Sequence, residues 1–73
     1  MRFKVTIPYK EPTYEAHTGR PRSLPYYARY NVTAGSEEEA IQKAIKLLEN
    51  GWIQSGVGWV RVPERQAIQV EQA

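Results

Sequence analysis

Between Ser36 and Gly51 the chain carries the pattern that most narrows its possible folds. Ala40, Ile41, Ala44, Ile45 and Leu48 recur at the spacing of one helical face, and Gln42, Lys43, Lys46 and Glu49 fill the other. Ser36 stands at the N-cap with Glu39 three residues later, a capping box that satisfies two backbone N–H groups. Glu37 and Glu38 suit the positive end of the helix dipole. Gly51 after Asn50 predicts the stop, with Trp52 or Ile53 folding back over the last turn. An amphipathic helix must bury its stripe against a second layer, so what flanks it decides the architecture.

The flanks alternate. In residues 2–7, RFKVTI, the side chains of Phe3, Val5 and Ile7 point one way and those of Arg2, Lys4 and Thr6 the other, the mark of a half-buried strand that Pro8 is expected to end. From Tyr26 to Ala34, Tyr26, Ala28, Tyr30, Val32 and Ala34 form the core-facing set against Tyr27, Arg29, Asn31 and Thr33. A third strand is read from Val57 to Val62, with Val60 and Val62 inward and Trp59 and Arg61 outward. A turn at Pro63-Glu64-Arg65 then leads to a fourth strand, Ala67 to Glu71, with Ile68 and Val70 inward. Residues 9–25 hold Pro12, Gly19, Pro21 and Pro25 without an apolar period, and read as a long loop, mobile until a partner orders it. The expectation is a single α+β domain over residues 1–73 in the order ββαββ, one helix on a four-stranded, mostly antiparallel sheet.

At 73 residues such a domain keeps only a few kcal/mol of net stability, and the absence of cysteine removes both disulfides and thiolate metal sites. A homodimer is therefore expected as an option beside the monomer. No apolar run approaches a membrane span, which implies a soluble, cytoplasmic protein without a membrane partner. The net charge of +2 hides a division: residues 1–31 carry six Lys/Arg against two Glu, and residues 32–73 four against six. One end of the molecule should attract anions.

Catalytic equipment is sparse. His17 has no partnered nucleophile, and one histidine makes no metal cluster. Gly56-Val57-Gly58 lacks the lysine and helix start of a phosphate loop. Glu37, Glu38 and Glu39 diverge by about 100° each on a helix and are explained by capping. No cofactor or metal is implied, and the chain reads as a binding protein rather than an enzyme.

Two partners fit the remaining residues. Tyr, Trp and Arg are enriched at protein interfaces, and with five Tyr, two Trp and six Arg the leading reading is a protein partner contacted through Tyr14, Arg20, Arg22, Tyr27 and Arg29. The alternative is nucleic acid on the sheet face turned from the helix. There Arg2, Lys4, Arg29 and Arg61 would follow phosphates while Tyr27 and Trp59 stack on bases. The triplet Gly19-Arg20-Pro21, followed by Arg22, resembles the centre of an AT-hook, which lays an extended arginine arm in a narrow minor groove, although Thr18 stands where the hook has an arginine. In its length, single helix, uneven charge and lack of catalytic groups the whole chain resembles the small phage-encoded regulators that bind bacterial RNA polymerase. That resemblance implies transcription regulation by docking on a large enzyme, and it carries no residue assignments.

Overall fold

Phe3, Val5 and Ile7, almost wholly buried, fix which side of the first strand faces inward, and the rest of the molecule is arranged around that side. The computed structural model describes residues 1–55 and 61–73, the side chains of 51–55 excepted. Its elements are β1 (Arg2–Lys10), α1 (Pro12–Thr18), β2 (Tyr26–Thr33), α2 (Glu37–Ser55), β3 (Val62–Pro63), a 3₁₀ turn (Arg65–Ala67) and β4 (Gln69–Gln72). Among the described residues these make a small α+β fold with a four-stranded antiparallel sheet and two helices. β1 lies in the centre, with β2 along one edge and both β3 and β4 along the other.

The core joins Phe3, Val5, Ile7, Val32 and Ala34 of the sheet side to Ala40, Ala44, Ile45 and Leu48 of α2. Ile68 and Val70 pack partly buried against it, inward as expected. Small residues at positions 40 and 44 let the helix approach the strands, and Leu48, with no exposed surface, fills the space beyond them. The capping box forms in part: Ser36 Oγ caps the helix as read, while the Glu39 carboxylate takes the N–H of Gly35, one residue before the N-cap, rather than that of Ser36. The Glu39 N–H donates to Ser36 Oγ at 3.2 Å, and the Gly35 N–H donates to Glu39 Oε2 at 3.1 Å.

The single-helix, ββαββ expectation needs correction at four places. Residues 9–25 are not one loop: β1 runs on through Tyr9 and Lys10, and α1 follows, with Pro12 at its first turn, where a missing N–H costs nothing. Gly19, at φ 68°, closes α1 in the left-handed conformation that glycine adopts without strain, its N–H donating to Glu15 O. Gly51 does not stop α2, which continues to Ser55, because a glycine permits a left-handed exit without imposing one. The expected fold-back of Trp52 or Ile53, and positions 57–60 of the expected third strand, lie outside the described residues. Val62 is exposed rather than inward.

Pro8 explains the fourth difference. The Glu64 N–H donates to Pro8 O at 2.8 Å, so the backbone of Pro8 faces the β3 and β4 edge, where proline has no N–H to return. The edge strand breaks there instead of β1. Continuing the Tyr9–Pro63 register would set Ala67 opposite Val5, yet Val70 occupies that place. Three residues are thus looped out, and they are the 3₁₀ turn Arg65–Ala67, displaced from the turn expected at 63–65.

Candidate functional site

Register partners in an antiparallel pair share a face, so β1 sorts the surface residues. Turned from α2 are Arg2, Lys4, Thr6, Pro8 and Lys10 of β1, with Tyr27, Arg29, Asn31 and Thr33 of β2 and Val62, Gln69 and Glu71 of the other edge. Arg2, Lys4, Lys10 and Arg29 are exposed, and none of them is in an ion pair among the described residues. Glu71, opposite Lys4, is the one acid of this face among the described residues. At about 3.4 Å per residue the cations of β1 span about 27 Å. Tyr27, 55% exposed, lies beside Pro8 between Lys10 and Arg29, a ring available for stacking. On the opposite side α2 carries Glu37, Glu38, Glu39 and Glu49 against Lys43 and Lys46, so charge is segregated across the sheet.

A second feature is built at the far end of the sheet. Thr18 Oγ1 donates to Tyr14 O at 3.1 Å and accepts from the Arg20 N–H at 3.4 Å, while the Arg22 N–H donates to a carboxylate oxygen of Glu15. Arg22 Nε donates to Leu24 O at 2.8 Å, and its guanidinium lies 4.1 Å from the Tyr26 ring centroid. Tyr26 stacks on Tyr9 at 5.6 Å, and Arg61 lies over the Tyr9 ring at 5.5 Å while pairing with Glu11 at 3.3 Å. This alternation of cations and rings ties α1 and the segment after it to the strands, each cation–ring contact adding about 0.5–1 kcal/mol. Beside it opens a groove of about 520 Å³ lined by Tyr14, His17, Thr18, Arg20, Arg22 and Tyr26. Burial pushes the Tyr9 and Tyr30 hydroxyls above the ordinary tyrosine range, opposed first by Arg61 in both cases.

The sequence-predicted residues regroup accordingly. Of the protein-binding set, Tyr14, Arg20 and Arg22 line the groove, whereas Tyr27 and Arg29 point to the open face. Of the nucleic-acid set, Arg2, Lys4, Tyr27 and Arg29 do share that face. Arg61 does not: its contacts with Tyr9 and Glu11 hold it on the helix side, a correction caused by the strand break at Pro8. Trp59 lies outside the described residues. Lys10 joins this face because β1 runs on past Pro8, and the alternation Arg2, Lys4, Thr6, Pro8, Lys10 is its signal in the sequence. The AT-hook likeness also fails in this geometry, since Gly19 closes a helix and Arg22 folds back on Tyr26 instead of extending. Among the described residues no three His, Cys, Asp or Glu side chains gather as a metal site, and no helix is long and apolar enough to cross a membrane.

Compared with protein-family models, with curated proteins and with solved structures, the chain matches none.

Proposed function

We propose that this is a small non-catalytic binding protein whose open sheet face takes single-stranded nucleic acid. The observation that carries the reading is the face turned from α2: Arg2, Lys4, Lys10 and Arg29, exposed and without ion pairs among the described residues, around the exposed ring of Tyr27, with Pro8 buried between them. Four cations without ion pairs among the described residues attract a polyanion, because neutralising its phosphates releases condensed counterions into solution. A flat ring among them adds sequence-tolerant stacking. The paired strands fix the backbone beneath these groups, so on binding only their side chains are left to order. The test is retention of a labelled single-stranded oligonucleotide at low salt. Lys4→Glu with Arg29→Glu abolishes retention, and Arg20→Glu with Arg22→Glu leaves most of it. The reverse pattern would overturn the reading.

One observation favours a protein partner as a second reading: Tyr14, Arg20 and Arg22 meet around a single groove. Arginine forks there can pair with carboxylates of an acidic segment, as a regulator docking on a large cytoplasmic enzyme such as RNA polymerase requires. A pull-down from bacterial lysate with and without nuclease separates the two. A protein band that survives nuclease and is lost in the Arg20→Glu, Arg22→Glu variant supports the groove; capture lost on nuclease treatment supports the open face.

A further inference from the structure

The two edges of the sheet are unlike. Along β3 and β4 the ladder is interrupted by the Arg65–Ala67 turn and carries Pro63, both devices that keep an edge from pairing with another chain. β2 has neither: it is eight residues long, without proline or bulge, and Arg29 is its one charge. Met1 and Ala34 exchange both backbone hydrogen bonds, at 2.9 and 3.1 Å. In an antiparallel ladder hydrogen-bonded pairs alternate, so Ala28, Tyr30 and Val32 turn their backbone groups toward β1. Tyr27, Arg29, Asn31 and Thr33 turn theirs outward. Among the described residues the one bond made to these outward groups is from Lys43 Nζ to Thr33 O, at 2.6 Å.

We propose that the β2 edge pairs with the β2 edge of a second copy, antiparallel about a twofold axis at Tyr30. This is the one register in which all four outward residues find outward partners: Arg29 of each copy faces Asn31 of the other, and Tyr27 faces Thr33. It sets Arg29 diagonal to its counterpart rather than opposite it, whereas a twofold axis at Arg29 would set like charges directly opposite each other. On the helix side Ala28 meets Val32, continuing the inner face. The Thr33 carbonyl has a second lone pair, so Lys43 and an incoming Tyr27 N–H can share it. A depression of about 360 Å³ lined by Val32, Thr33, Lys43, Lys46, Leu47 and Asn50 runs beside the edge, with Leu47 48% exposed, so apolar surface lies next to the unpaired backbone. The pairing joins the two open faces into one continuous surface, but it does not depend on what that surface binds.

Sedimentation equilibrium over a range of concentrations tests it, with no nucleic acid present. The parent chain reaches the mass of two chains, and Asn31→Pro weakens association at least tenfold, because the twofold axis deletes two N–H donors at once while the Asn31 N–H plays no part in pairing with β1. Melting of the dilute variant stays close to that of the dilute parent. A parent that is monomeric throughout, or a folded Asn31→Pro chain that associates like the parent, refutes the proposal. If Asn31→Pro does not fold, cross-linking decides: Tyr30→Cys sits opposite itself at disulfide distance and oxidises rapidly to a covalent dimer, whereas Arg29→Cys, facing Asn31, does not. Equal oxidation of the two overturns the register.

Discussion

If single-stranded nucleic acid lies on the open face, the salt dependence of binding counts the cations that touch it. Arg2, Lys4, Lys10 and Arg29 give at most four phosphate contacts per chain, since Arg61 is engaged on the helix side. With about 0.7 counterion released per contact to a single strand, the logarithm of affinity falls with the logarithm of salt at a slope of about −2.8. Raising salt from about 50 mM to about 200 mM then weakens binding about fifty-fold. Lys4→Gln removes one contact, which brings the slope to about −2.1 and the loss over the same range to about eighteen-fold. Tyr27→Ala behaves differently: it removes stacking of roughly 1–3 kcal/mol per base and leaves the slope where it was. Fluorescence anisotropy of a labelled oligonucleotide across this salt range measures both quantities. A strand spanning the faces of two paired copies steepens the parent slope up to twofold, and Asn31→Pro returns it to the single-chain value. A slope near zero, or one lowered by Arg20→Gln but untouched by Lys4→Gln and Arg29→Gln, would refute the assignment of the open face.

Three further predictions concern the scaffold. Ser36→Ala deprives the Glu39 N–H of its acceptor, costing about 1 kcal/mol; at roughly 4–8 °C per kcal/mol in a domain of this size, calorimetry detects the drop, and an unchanged melting temperature contradicts the capping geometry. Leu48→Ala, at a site with no exposed surface, costs about 2–5 kcal/mol, comparable to the whole stability of so small a domain, so its circular dichroism shows a largely unfolded chain at body temperature. The Gly35 N–H first, and then Lys43, hold the Glu39 carboxyl below its ordinary value of 4.5. A carboxyl with a lowered folded value stabilises above its unfolded value and loses that contribution as pH falls through the folded one. Denaturant midpoints at about pH 7 and about pH 3 should therefore differ less in Glu39→Gln than in the parent, and an equal difference contradicts the sign.

The secure part of the fold was written in local patterns. Ser36 and Glu39 specify a helix start through bonds that span three or four residues, and the inward sets of β1 and β2 follow from strict alternation, so each is legible without knowing what lies across the sheet. The open face was partly legible for the same reason, because Arg2, Lys4, Tyr27 and Arg29 take their side from strand parity alone. The rest depended on contacts distant in sequence. Pro8 looks like a strand end in isolation, yet its missing N–H faces the other edge, and the penalty is absorbed by looping out Arg65–Ala67 some sixty residues later. Arg61 reads as an outward residue of a regular strand, but the broken edge delivers it to Tyr9 and Glu11. Residues 11–25 have no apolar period because their order comes from the Glu15, Thr18 and Gly19 hydrogen bonds and the stacking of Arg22 on Tyr26, not from a buried stripe. Periodicity reports which side chains avoid water; only the assembled sheet decides which backbone groups are left to find a partner, and on β2 that choice leaves an open edge.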